Sequence, residues 1–221
     1  MPELGPLQHQ NVGEAVLTVL RQSILTGVFR SGDRLVEARL SRDLGTSRGP
    51  IREALRRLGD EGLVTTVPRR GTFVARMSRQ DVEEIYTLRE EIEALAVRRS
   101  IERLRPEIVG KLQALTDELG QLGDKAGSAD VVRTDMAFHE AICRAAGHGR
   151  LLDLWLSMSG QLRIGMAWSR ELTLLKNNVG MHRQILEAIV NADTEAAEQL
   201  LRQHIREAHA AVQKAMGYRT P

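Results

Sequence analysis

The chain has 221 residues, 42% of them hydrophobic and 27% charged, with a net charge of +2 and a single cysteine; that length allows one globular body or two modest domains. Composition excludes several classes: there is no run of about eighteen apolar residues to span a membrane, and MPELGPLQHQ has neither the basic start nor the apolar stretch of a signal peptide. Cys143 cannot close an internal disulfide, which fits a reducing cytosol. The charge is uneven: residues 1–76 carry twelve basic and eight acidic side chains, residues 77–221 nineteen and twenty-one. A basic N-terminal module on a mildly acidic body suits a nucleic-acid reader attached to a sensing or dimerisation unit.

Val16, Leu17, Leu20, Ile24 and Leu25 predict the core face of a first helix, closed by Gly27. EARLSRDL, Glu37 to Leu44, predicts a short second helix, and Gly45-Thr46 a tight turn into a third. Ser47 is the expected N-cap of that third helix, Pro50 falls in its first turn, and Ile51, Ala54, Leu55 and Leu58 form a buried stripe. Arg48 and Arg52, four apart, project from one face near its N-terminal end, the end at which a recognition helix meets base edges in the major groove. The runs Leu63 to Val67 and Thr72 to Val74 predict a two-stranded wing with Arg69, Arg70 and Gly71 at its tip. A guanidinium pair there suits phosphate or minor-groove contact.

Beyond a linker at residues 77–80 the strand signals vanish. Ser78 with Asp81 predicts a capping box and a long helix over about Arg79 to Glu102, with an apolar stripe of Ile85, Leu88, Ile92, Leu95 and Ala96. Pro106 starts the next helix, which runs to about Leu122; Gly123 to Asp130 is a polar loop. A helix over Val131 to Ala146 is expected to stop at Gly147 and Gly149. Helices follow at about Leu151–Ser169, Glu171–Ala192 and Thr194–Met216, the last capped by Asp193. Six helices predict an antiparallel bundle over residues 81–221, with no internal repeat or low-complexity tract. The fold class is therefore mainly α, a winged helix-turn-helix domain over 1–76 followed by a helical bundle.

Four polar residues of that bundle could converge. Asp135 and His139 share a helix face, His182 lies on the next-to-last helix and His204 on the last. One carboxylate and three imidazoles suit zinc, nickel or another divalent transition metal. His9, His148 and His209 fit solvated or local capping roles, and Trp155 and Trp168 fit packing roles. Arg89 stands among apolar neighbours, where its fork could capture an acid or pair with Glu93 at i+4.

Roughly Val12 to Ala75 resembles the GntR family of bacterial winged-helix transcription factors. The likeness rests on Gly27, Phe29, Gly32, Asp33, Leu35 and Glu37, on SRGPIREALRRL, on Gly62-Leu63-Val64 and on Gly71, Phe73 and Val74. It implies double-stranded operator DNA as partner, contacted by Ser47, Arg48 and Arg52 from the recognition helix and by Arg69, Arg70 and Gly71 from the wing. The segments LREEIEALAVRRS, DMAFHEAICRAAG and MHRQILEAIVNADTEAAEQLLRQHI resemble the ligand-sensing FCD domain of the FadR-type branch. That resemblance implies a metal held by Asp135, His139, His182 and His204, a small organic acid effector met by Arg89, and a homodimer. It also implies a bacterial cytoplasmic protein, nucleoid-associated when bound to DNA, in which repression relieved by effector is the commoner logic.

Two alternatives compete with a metabolite-responsive regulator. One is a metal-dependent enzyme with an appended DNA-binding module. His139-Glu140 invites comparison with H-E-x-x-H, but the second histidine would fall at Cys143, and no nucleophile elbow, Walker A loop or dinucleotide fingerprint appears, so no enzyme is expected. The other is a regulator whose metal is purely structural, as a closed four-ligand shell would suggest.

Overall fold

The computed structural model describes residues 10–122, 128–168 and 172–216. The readings made for residues 1–9, His9 among them, for the loop at 123–127 and for the helix ends at 169–171 lie outside the described residues, as does the side chain of Trp168. The chain divides into two compact units, Met1–Arg76 and Met77–Pro221.

In the first unit three helices, α1 (Gln10–Leu25), α2 (Glu37–Asp43) and α3 (Arg48–Asp60), are followed by the wing. Their facing stripes meet: Leu17, Leu20 and Ile24 of α1, Leu40 of α2, and Ile51, Leu55 and Leu58 of α3 are all buried. The turn from α2 to α3 passes through Gly45 at φ +60°, a left-handed conformation that costs glycine nothing. Ser47 has the extended backbone of an N-cap (φ −74°, ψ 166°), yet its hydroxyl makes no capping hydrogen bond. The expected cap fails for a local reason. A serine N-cap accepts from the second or third helical N–H, and the third position is Pro50, which has none.

The wing is a three-stranded antiparallel sheet, not the expected two. Strands β1 (Arg34–Leu35), β2 (Val64–Val67) and β3 (Gly71–Val74) lie in the order β1-β3-β2. β2 and β3 pair from Val64↔Val74 to Val67↔Gly71, while β1 adds Arg34↔Phe73 and Leu35↔Thr72. Two residues are too few to show an alternating pattern, so only the paired register reveals β1. At the tip the Arg70 N–H donates to the Val67 carbonyl at 3.0 Å, with Pro68 second in the turn and Arg69 third at φ +62°. This is a type II pattern, in which the third position favours glycine.

Among its described residues the second unit holds six helices: α4 (Arg79–Ile101), α5 (Pro106–Leu122), α6 (Ser128–Ala145), α7 (Gly149–Trp168), α8 (Leu172–Val190) and α9 (Thr194–Ala215). The capping box forms as expected. The Ser78 N–H donates to Asp81 Oδ2 at 2.7 Å, and the Asp81 N–H donates to Ser78 Oγ at 3.1 Å. Asp193 caps α9 by accepting from the Ala196 N–H at 3.0 Å. Helix α6 begins at Ser128, three residues earlier than the spacing suggests, and Gly149 opens α7 instead of ending α6. α4 packs on α9 and α6, α8 on α9, and both α5 and α7 on α6. Among the described residues no helix is long and apolar enough to cross a membrane.

The buried face of α4 differs from the expected stripe. Leu88 and Leu95 are 41% and 37% exposed, while Val82, Tyr86, Arg89, Glu93, Ala96, Val97 and Ser100 are buried with Ile85 and Ile92. The 3.6-residue period places positions 82, 86, 89, 93, 96 and 100 on one face, and two charged side chains ride on it into the interior.

Candidate functional site

The bundle brings the four predicted ligands together. α6 supplies Asp135 and His139 one turn apart, α8 supplies His182 and α9 supplies His204. Each is at most 2% exposed. His182 Nε2 lies 3.3 Å from Asp135 Oδ1, His204 Nε2 lies 3.8 Å from the same oxygen, and His139 Nε2 lies 3.8 Å from Asp135 Oδ2. His139 Nε2 and His204 Nε2 are 3.0 Å apart, and one donor atom from every residue falls within 4.8 Å of the others. Phe138 closes the cluster edge-on to His182, at 4.7 Å between ring centroids.

Neutral imidazoles and an ionised carboxylate are what a divalent ion requires. Burial and the nearby His182 and His139 push His204 well below the ordinary imidazole value. Burial works to raise the Asp135 carboxyl, but a hydrogen bond from His182 and the surrounding imidazoles outweigh it and hold it below the usual range. Asp135 Oδ2 and His204 Nδ1 are buried without a hydrogen-bond partner among the described residues. Nitrogens and an oxygen this close fit an ion that bonds each at about 2.0–2.2 Å, so the residues present fit a metal.

Two residues of α4 and one of α7 adjoin the cluster. Glu93 Oε2 is 2.5 Å from His139 Nδ1, and its Oε1 accepts from Arg89 Nε at 2.7 Å and from Trp155 Nε1 at 2.8 Å. Burial would raise this carboxyl, but Arg89 and His139 hold it below the usual range. Sequence spacing pointed to Glu93 only as a competing partner for Arg89, and to Trp155 only as a packing residue. Both are fully buried and both are polar members of the site. The ion pair between Arg89 and Glu93 does form, yet among the described residues Nη1 and Nη2 of Arg89 have no hydrogen-bond partner and are buried. A buried donor left unpaired costs about 1–3 kcal/mol, and more on a charged group, so these two nitrogens call for an anionic ligand or for water.

Tyr86 completes this wall. Its ring lies 5.9 Å below the Arg89 guanidinium carbon and stacks on His209 at 4.9 Å, so His209 is a packing partner here and not a solvated side chain. His148 takes the expected capping role, accepting from the Leu151 N–H at 3.3 Å. Burial pushes the Tyr86 hydroxyl up to about 12, with Arg89 opposing it. Because the folded value exceeds the unfolded 10.0, this group's stabilisation is complete below pH 10 and is lost as pH rises toward 12. The unfolding midpoint should therefore fall between pH 10 and 12 more steeply in the wild type than in Tyr86→Phe. Identical profiles for the two proteins would show that the hydroxyl carries no such shift.

Cys143 is buried, and burial raises its thiol above the ordinary value, as suits an inert core residue.

In the first unit, the four arginines of α3 are not equivalent. Arg56 pairs with Glu53 and Asp60, and Arg57 pairs with Glu14 of α1. Arg52 makes only a 3.3 Å exposed contact to Glu37 of α2, and Arg48 makes no ion pair among the described residues. The two arginines expected to read DNA are thus the ones left most open at the N-terminal end of α3. Ser47 is exposed beside them, and Arg69 and Arg70 are exposed at the wing tip. Gly71 follows at φ +112°, where an added Cβ would meet Arg34 Nε at 3.0 Å.

Residues 13–74 match the family described as bacterial regulatory proteins, gntR family, and residues 84–207 match the FCD domain. An HTH-type transcriptional regulator from an unstable DNA locus of Streptomyces ambofaciens is 32% identical over 192 residues, spanning 85% of this chain and 79% of its own. The HTH-type transcriptional repressor GlaR of Escherichia coli is 30% identical over 208 residues, spanning 89% and 94%. The structure of McbR/YncC from E. coli shares the fold with a TM-score of 0.77 at 23% identity, covering 92% of this chain and 98% of that one.

Proposed function

The chain belongs to the GntR family of bacterial transcriptional regulators and carries an FCD domain, and we propose that it is a repressor released from its operator by a small carboxylate bound at a metal in the helical bundle. The observation that carries this reading is the buried Asp135, His139, His182 and His204 cluster adjoining an arginine whose two terminal nitrogens lack partners among the described residues. Zinc or nickel suits three imidazoles and one carboxylate. When bound, such an ion supplies positive charge that draws carboxylate oxygens; the protein's own part is to orient and enclose the acid. Arg89, pinned through Nε to Glu93, offers Nη1 and Nη2 to that acid as a fork.

Release requires the effector to bind one arrangement of sensor and reader better than another, since equal affinity for both would shift nothing. A homodimer would present two readers to a pseudo-palindromic operator. Leu88 and Leu95, exposed and seven apart on α4, support such pairing with an apolar stripe on a helix otherwise polar outside. The metal-dependent enzyme reading gives way, because the family and its relatives are regulators.

For the reader, Ser47, Arg48 and Arg52 would face bases and Arg69, Arg70 and Gly71 the backbone or minor groove. Arg69 supports this role, because a left-handed residue other than glycine costs on the order of 1–3 kcal/mol and the chain keeps a cation there. Arg70→Ala should weaken binding about equally across sequences and lower the slope of log affinity against log salt by about one. An unchanged slope would take the wing tip out of the interface.

The test of the whole reading is selection of genomic fragments on the zinc-loaded protein at near-physiological salt, followed by release with a panel of small carboxylates. Enrichment of one or a few palindromic sites, and their release by one acid from the wild type but not from Arg89→Ala, is the expected result. Palindromic sites that no acid releases would leave the regulator standing and overturn the effector reading. Uniform weak retention would overturn operator recognition by this form of the protein.

A further inference from the structure

Glu93 joins three helices of the bundle through one carboxylate. Its Oε1 takes two N–H donors, from Arg89 on α4 and Trp155 on α7, and its Oε2 faces His139 Nδ1 on α6. All four side chains are fully buried, so no solvent substitutes for a lost partner. An ionised carboxylate only accepts; facing it, His139 Nδ1 must carry the proton. A neutral imidazole protonated at Nδ1 has its lone pair on Nε2, and Nε2 is the atom that points to Asp135 and His204.

We propose that Glu93 is the positioning residue that makes His139 a metal ligand, by holding its ring in the Nδ1–H form, and that the same carboxylate fixes Arg89 so that Nη1 and Nη2 face the effector. The proposal rests on the metal reading given above and extends it to a residue outside the ligand set. One acceptor-only group serves two requirements at once: it selects the tautomer on α6 and the guanidinium orientation on α4. Metal site and acid-binding arginine are thereby set by one anchor.

The geometry makes Glu93→Gln a selective test. The amide has one oxygen and one NH2 group. Two fixed donors, Arg89 Nε–H and Trp155 Nε1–H, sit on the Oε1 side, so the amide oxygen must turn toward them. The NH2 group then faces His139 Nδ1, which becomes an acceptor and moves the ring proton to Nε2. A protonated Nε2 cannot ligate. Shape and the Arg89 contact are kept, while His139 is removed from the ligand set.

The experiment measures zinc affinity of the full chain by competition with a chromophoric chelator, together with the tautomer of His139 from nitrogen NMR of histidine-labelled protein. Glu93→Gln is expected to bind zinc about 10- to 100-fold more weakly than the wild type, with His139 protonated at Nε2 where the wild type carries the proton at Nδ1. Wild-type zinc affinity in a folded Glu93→Gln protein would overturn the proposal and leave the metal reading intact. Absence of zinc and nickel binding by the wild type would overturn both. Should Glu93→Gln not fold, the wild type alone decides, because His139 protonated at Nε2 in the metal-free protein would refute the assignment and Nδ1–H would support it.

Discussion

Arg52→Ala is expected to lower operator affinity by roughly fivefold to more than a hundredfold, the equivalent of about 1–3 kcal/mol for a bidentate base contact, without lowering the unfolding midpoint. The two readouts separate because of where the side chain sits. Arg52 is 71% exposed, and its one ion pair, to Glu37, is long at 3.3 Å; exposed pairs of this kind contribute about 0–1 kcal/mol. Its loss at the DNA interface is another matter, since a base edge left unmatched in a closed groove has no water to replace the guanidinium. Arg56→Ala is the matched control. Arg56 lies one turn further along α3 and is already tied to Glu53 and Asp60, so its removal should cost the operator little. Affinity measured by titration against the selected site decides the matter. Equal losses for the two variants would point to general electrostatics, and an unchanged Arg52→Ala would remove α3 from the role of recognition helix.

Much of the reader was legible because each of its elements carries a local signal. The stripe of Ile51, Leu55 and Leu58 has a helical period, Gly45 marks a turn, and Gly71 marks the return of the wing. The signals that misled were those whose outcome depends on a neighbour. Ser47 has the right residue type and backbone for a cap, but the proline at the third position of α3 withdraws an N–H the cap would use. β1 has two residues and exists only through its partners Phe73 and Thr72. A pairing so distant in sequence leaves no trace in local periodicity.

The bundle teaches the same lesson with more at stake. The types and helix positions of Asp135, His139, His182 and His204 could be read in advance, because a carboxylate and three imidazoles are recognisable chemistry. Glu93 could not be singled out on residue type, as glutamates crowd this part of α4 at positions 90, 91 and 93. A signal was nevertheless present. Starting from Val82, the period through Tyr86, Arg89, Glu93, Ala96 and Ser100 runs without a break, whereas the stripe through Leu88 and Leu95 drifts off the core face. Reading hydrophobicity alone favours the leucines. Reading the period first, and then asking why charges fall on it, leads to the site.

His182→Ala addresses whether that site is a sensor's or a scaffold's. In the wild type, zinc at about a thousand times its dissociation constant should stabilise the fold by about 4 kcal/mol. For a chain of this size that raises the unfolding midpoint by roughly 8–16 °C. Loss of a ligand should weaken binding at least as much as loss of an outer partner, which costs up to about 100-fold, so at the same zinc concentration the variant should gain at most about 1.4 kcal/mol. The apo bundle has reason to stay folded. Phe138, Met136, Ile142, Trp155 and Ile185 are fully buried around the cluster's helices, and burial of each such side chain contributes about 1.5–3 kcal/mol without help from an ion. A folded His182→Ala protein that still binds the operator but no longer lets go in the presence of the acid would assign the metal to sensing. An unfolded bundle would assign it to structure, whereas a folded one with an unaltered response would take the metal out of both roles and leave the buried fork of Arg89 to capture the acid alone.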